Sequence, residues 1–195
     1  MDSNTNKTLI DQCIKATEAW LKHVIVAYNF CPFARPVLDR GGIHYRVAKR
    51  KDISCHLETL ISECRTLDQQ GAIETLLIIY PADFQEFGDY LDYFALAEQL
   101  LIAQGYEGIY QLASFHPGYC FENSETDDPE NYTNRSPFPM LHILREESID
   151  QALNSFPNPE QIPLRNIAFA RQLGESRLKE RRLECCKMIS DQNKP

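Results

Sequence analysis

The chain has 195 residues, 43% hydrophobic and 25% charged, with a formal net charge of -8. That is the composition of a folded globular chain and excludes wholesale disorder; the length suits one well-filled core better than two. The acidic balance argues against a nucleic-acid grip, which needs Lys and Arg to displace counterions, and no apolar run approaches the ~18 residues of a membrane span.

Ile10, Cys13, Ile14, Thr17, Trp20, Leu21, Val24, Ile25 and Tyr28 follow helical spacing and predict a first helix near residues 7–29, ended by Asn29 and the Cys31-Pro32 break. Gly41-Gly42 precede IHYRVAKR, residues 43–50, whose alternation predicts a strand. Ile53, Leu57, Leu60, Ile61, Cys64 and Leu67 predict a second helix, with Gly71 as its C-terminal cap. TLLIIYP, residues 75–81, has the continuous apolar pattern of a strand covered on both faces.

Asp83 and Glu86 stand at capping-box spacing before a third helix that ends ahead of Gly105, with Phe84, Phe87, Leu91, Phe94, Ala97 and Leu101 as its core side. IYQLASFHP, residues 109–117, predicts a third strand. Strands joined by helices run parallel, with right-handed crossovers. The expectation is therefore an α/β fold: residues 1–174 as a single domain with a small, parallel or mostly parallel three-stranded sheet and helices on its faces. From about residue 138 the chain reads as helical segments interrupted by Pro157, Pro159 and Pro163. Residues 175–195 read as a charged extension and peripheral helix, and Arg177, Lys179, Arg181 and Arg182 as its solvated face.

Ligands of open parallel sheets gather beyond the carboxyl ends of the strands. Pro81-Ala82-Asp83, Phe115-His116-Pro117 and the long loop that follows, including NYTNRSPFPM, are expected to meet there. Loops of that length in compact domains are uncommon and often functional. His116 ends an apolar strand and can move protons near neutrality. Cys31, before Pro32, is placed to cap a short helix whose N-terminus, with Arg35 nearby, favours the thiolate. These two are the candidate catalytic pair, with Asp127 and Asp128 placed to orient His116, hold Arg135 or bind a hard cation.

Arg35 and Arg135 are candidate anion clamps, and Tyr132, Asn134 and His142 candidate substrate contacts. His142 is expected on the first turn of a helix, sharing a face with Glu146 without forming an HExxH motif. His23, His44 and His56 read as structural or surface residues.

Cys13, Cys31, Cys55, Cys64, Cys120, Cys185 and Cys186 are irregularly spaced with no Cys-x-x-Cys pair. They describe no disulfide framework, and a reducing cytoplasm is the expected compartment. No basic-then-apolar leader opens the sequence, so the glycosylation-like NYT and NRS triplets carry no weight. No glycine-rich loop of the dinucleotide or nucleoside-triphosphate type occurs, and the sequence names no cofactor.

NFCPFARPVLDRGGIHYRV, ASFHPGY, and NYTNRSPFPMLHILRE with IPLRNIAFARQLG resemble a family of bacterial proteins classed as a domain of unknown function, with members of about this size. The resemblance covers residues 8–174. It implies a cytoplasmic single-domain protein and assigns no residue a role.

Three functions fit these residues. The first is hydrolysis or group transfer on a small anionic metabolite, with Cys31 as nucleophile and His116 as base. The second is a zinc-like metal site drawn from Cys31, His116, Cys120, Asp127, Asp128 and His142. The third is a non-catalytic module binding an anionic ligand or a partner.

Overall fold

The structure, a computed structural model, describes residues 3–187, with side chains from Lys7 onward. The elements in chain order are α1 (Ser3–Trp20), a π-helical continuation (Leu21–Val26), α2 (Ala34–Asp39), β1 (Ile43–Val47), α3 (Ile53–Gln69), β2 (Thr75–Ile79), α4 (Phe87–Ala103) and β3 (Tyr110–Phe115). A 3-10 turn (Pro129–Thr133), β4 (Met140–Arg145), α5 (Glu146–Ser155), a second 3-10 turn (Pro159–Gln161), α6 (Ile162–Leu173) and α7 (Glu175–Lys187) follow. These elements gather in two compact units that interleave along the chain. Unit 1 comprises the described residues up to Arg35, His116–Phe138 and those from Glu160 on; unit 2 comprises Pro36–Phe115 and Pro139–Pro159.

Unit 2 is a mixed four-stranded sheet in the order β1-β2-β4-β3. β1 and β2 are parallel, and β4 lies antiparallel to both β2 and β3. β1, β2 and β3 consequently share one direction, as their helical crossovers require. The expected three-stranded sheet is corrected by the fourth strand inserted between β2 and β3. MLHILR, expected to be helical, is that strand. A short apolar run has no period that separates strand from helix, and tertiary pairing decides: Thr75 to Ile79 of β2 align with Leu144 to Met140, and Tyr110 to Phe115 of β3 with Arg145 to Met140.

Alternation along the strands sorts the side chains. One face carries Leu76, Ile78, Leu112, Leu141 and Ile143 against Leu60, Ile61, Cys64 and Leu67 of α3 and Tyr93, Ala97 and Leu101 of α4. Each fully buried leucine or isoleucine in that layer contributes about 1.5–3 kcal/mol of apolar burial. The expected core side of the third helix shifts accordingly, because Tyr90 and Tyr93 are fully buried while Leu91 is 44% exposed. Glu86, not Asp83, occupies the N-cap of α4.

The α3 C-terminus closes on Gln70 rather than on Gly71. Arg145 stabilises that end, donating from Nη2 to the carbonyls of Leu67 (2.7 Å) and Ile73 (3.0 Å). It thereby adds a charged donor to the Leu67 carbonyl, which the Gln70 N–H reaches only at 3.3 Å. At the end of α4, Gly105 adopts φ +80°, the left-handed conformation that glycine supplies without a Cβ penalty.

In unit 1, Trp20, Leu21, Val24, Ile25 and Val26 are buried, and Asn29 ends the first helix at φ 54° as its sequence position suggests. The expected peripheral tail helix is α7, but it is packed rather than loose: Leu178 and Cys185 are fully buried. Its basic face is solvated only in part, since Arg182 donates to the Ser136 carbonyl at 3.0 Å. Residues 188–195 of the expected extension lie outside the described residues.

Candidate functional site

The loop of unit 1 holds most of the sequence candidates, and its polar groups are bound to the loop's own backbone. Asn131 is fully buried. Its Oδ1 accepts from the Phe121 N–H at 3.0 Å, and its Nδ2 donates to the Glu125 carbonyl at 2.8 Å. Arg135, 7% exposed, donates from Nε to the Tyr119 carbonyl at 2.9 Å and from Nη2 to the Thr126 carbonyl at 2.6 Å. Its guanidinium stacks over the Tyr132 ring at 4.7 Å. A side chain so committed acts as an internal strut, which is a different role from the anion clamp expected of it.

His116 is 1% exposed. Its Nδ1 accepts from the Gly118 N–H at 2.9 Å, and its backbone N–H donates to the Asn134 carbonyl at 3.2 Å. The accepting Nδ1 places the imidazole proton of the neutral ring on Nε2, so proton uptake at Nδ1 requires breaking the turn. Tyr132 donates to Glu175 Oε1 at 3.0 Å, and Asn134 Oδ1 accepts from the Thr133 hydroxyl at 3.1 Å.

Asp128 caps its own turn by accepting the Glu125 N–H at 2.9 Å, and Asp127 is exposed. Arg135 is held by carbonyls rather than by either aspartate. Glu130, buried, takes both Nε and Nη2 of Arg171, and that pairing holds its carboxyl below the ordinary carboxylate range.

Cys31 is half-buried, and burial pushes its thiol up, outweighing the lowering effect of the Phe33 and Ala34 N–H groups. The expected thiolate bias is thereby reversed. The nearby helix is the six-residue α2, and Arg35 on it is exposed with no hydrogen bond or ion pair among the described residues.

His142 stands on β4 rather than on a helix. Its Nε2 donates to the Thr75 hydroxyl at 2.6 Å, which in turn donates to the Ile143 carbonyl at 2.7 Å. Burial lowers its pKa to about 4. The expected metal set does not assemble: among the described residues no three His, Cys, Asp or Glu side chains converge to hold a metal ion.

Unit 2 brings together a cluster that the sequence reading passed over. His56, at the end of the first turn of α3, is 1% exposed and places Nε2 3.1 Å from Asp83 Oδ2. Asp83 lies just past the carboxyl end of β2. Its Oδ2 also accepts the Lys51 N–H at 3.3 Å, and its Oδ1 lies 3.5 Å from Arg50 Nε.

The imidazole sits among Tyr80, Phe84 and Tyr93, with ring centroids at 5.1, 5.2 and 6.2 Å. The Tyr80 and Tyr93 hydroxyls lie 2.7 Å apart. Burial raises both phenols, Tyr93 to about 12, so both stay protonated near neutrality. Phe84 takes φ 58°, a conformation that costs a bulky L-residue about 1–2 kcal/mol and that concentrates at functional sites.

The hydrogen bond of the His56 ring uses Nε2, and Nδ1 makes none to protein among the described residues. With Asp83 holding the proton on Nε2, Nδ1 carries a lone pair that can accept a proton. His56 and Asp83 are 27 positions apart and match no motif; a capping-box reading of Asp83 hid the pair.

No helix among the described residues is long and apolar enough to cross a membrane. Searches of curated proteins and of solved structures match nothing. A family model of proteins of unknown function matches residues 12–180, most of the chain. The chain therefore belongs to the DUF1415 family.

Proposed function

We propose that the protein is an enzyme of the hydrolase or group-transfer class acting on a small molecule, with His56 and Asp83 as its acid–base pair. The observation that carries this reading is the 3.1 Å contact between a buried imidazole and a carboxylate at the exit of a central strand. His56 Nδ1 takes a proton from water or from a substrate hydroxyl as that oxygen attacks. Asp83 stabilises the imidazolium that forms, and the proton passes on to the leaving group. Phe84 packs half-buried against the ring with its backbone in the left-handed region.

Cys31 and His116 remain the alternative pair from the sequence. They have less support, because the thiol is pushed up and the imidazole Nδ1 is engaged by its own turn.

The test is a panel of phosphate-ester, carboxylic-ester and thioester substrates assayed with the wild type, His56→Gln and Asp83→Asn. Each variant is expected to lose 10²-fold or more in kcat on any substrate the wild type turns over, the usual contribution of a positioned acid–base group. Turnover that survives both substitutions, or a wild type inert toward the whole panel, contradicts the reading.

A further inference from the structure

We propose that the β1–α3 loop, Ala48 to Asp52, binds an oxyanion group of the substrate, with Arg50 leaving Asp83 to hold it. This inference rests on the acid–base reading of His56 and Asp83 and names the substrate class of that same site.

The loop leaves β1 at its carboxyl end and is pinned there, because the Ala48 N–H donates to the Ile79 carbonyl of β2 at 2.8 Å. Lys49, Arg50 and Lys51 follow consecutively, all exposed, in a chain whose net charge is -8. Such a run concentrates positive potential where the rest of the protein repels anions.

The acidic groups beside it are Asp52 and Asp83. Asp52 is spent on the helix cap, accepting the Cys55 N–H at 2.9 Å and the Ser54 hydroxyl at 2.7 Å. Asp83 meets Arg50 only through Nε at 3.5 Å, and the Arg50 side chain is 82% exposed. The two terminal guanidinium nitrogens of Arg50 thus have no partner among the described residues, and they are the pair suited to a bidentate grip on phosphate or carboxylate.

The loop is wired to the imidazole. Asp83 Oδ2 is shared by the Lys51 N–H and His56 Nε2, so one carboxylate oxygen joins the basic segment to the base. An oxyanion that draws Arg50 away leaves Asp83 serving His56 with its charge less neutralised, which strengthens the pair when substrate is bound. His56, in the first turns of the same helix, has Nε2 engaged by Asp83 and Nδ1 without a protein hydrogen bond among the described residues, so the imidazole keeps hydrogen-bonding capacity on the helix that the basic loop leads into.

The experiment uses the full chain and needs no substrate. Inorganic phosphate and, separately, malonate are titrated while the ring signals of His56 are followed by NMR, with His142 and His116 as internal references and His56→Gln for assignment. The expected result is a saturable shift of the His56 signals with at least one anion. A Lys49→Ala/Arg50→Ala/Lys51→Ala variant with an unchanged melting temperature should bind that anion roughly tenfold or more weakly, as loss of charge-assisted hydrogen bonds requires. Phosphate acting alone identifies a phosphate ester, malonate alone a carboxylate, and both a site that reads charge without geometry; each supports the proposal.

His56 signals that neither anion moves, or a shift that the triple variant retains in full, overturns it. The acid–base reading fails on different data, the turnover of His56→Gln, so the two can be told apart.

Discussion

His116 in unit 1 and His56 in unit 2 are equally buried, each 1% exposed, yet they are bound in opposite ways. His116 is tied through Nδ1 to the N–H of a residue two positions along. His56 is tied through Nε2 to a carboxylate 27 positions away. The first arrangement closes a turn and uses the lone pair that a base needs. The second joins two elements at a strand exit and leaves a lone pair to spare.

The surroundings repeat the contrast. Asn131 and Arg135 spend their donors on loop carbonyls, whereas Arg50 keeps most of its guanidinium in solvent. Buried polar groups saturated by backbone specify a conformation, and those holding unused capacity beside a charge are where chemistry is available.

The sharpest way to break this comparison on the side of unit 1 is Asn131→Ala. It removes a fully buried side chain that pairs with the Phe121 N–H and the Glu125 carbonyl, and the expected loss is about 3 kcal/mol in chemical denaturation. A loss below about 1 kcal/mol means the loop is not built on that side chain. Arg135→Met is expected to cost about 2 kcal/mol by freeing two carbonyls, with no effect on anion binding. An anion affinity that falls with this variant restores Arg135 as a clamp.

A third prediction concerns pH. The folded pKa of His142, about 4, lies below its ordinary value of 6.5. The unfolded chain therefore binds the proton first, and stability is full above pH 6.5 and falls as the pH drops toward 4. The expected decline is on the order of 3 kcal/mol. His142→Gln, which keeps a donor for Thr75, should flatten that part of the stability profile; an unchanged slope assigns it to other groups. Glu130 acts lower down, because its carboxyl is held below its ordinary 4.5 and its contribution is lost only as the pH falls through that lowered value.

The smallest effect separates two residues of similar backbone geometry. Asn123 at φ 65° and Phe84 at φ 58° share the left-handed region, which asparagine tolerates and phenylalanine does not. Asn123→Gly should change stability by less than about 0.5 kcal/mol. Phe84→Gly relieves strain but surrenders the stack on Tyr93, whose centroid lies 4.4 Å away, so it should destabilise by more than the Asn123 change. Equal effects remove the case for strain at Phe84.

Much of this was legible in the residues themselves. The continuous apolar run TLLII announced a central strand, and three strand–helix alternations announced strands of one direction. MLHILR escaped because a strand paired on both sides needs no alternation, and Pro139 before it suggested the start of a helix. The loop was visible as a loop, but its charged and polar residues looked functional because sequence does not say which carbonyls they will meet. His56 escaped for the converse reason: its value comes from Asp83, and only the packing of α3 beside the exit of β2 brings them to 3.1 Å.

The most direct measurement is the turnover of His56→Gln against that of His116→Asn, on one substrate and with both variants shown to be folded. A loss of 10²-fold or more confined to His56→Gln is the predicted result. Activity that persists in His56→Gln and disappears in folded His116→Asn contradicts it and returns the chemistry to the loop.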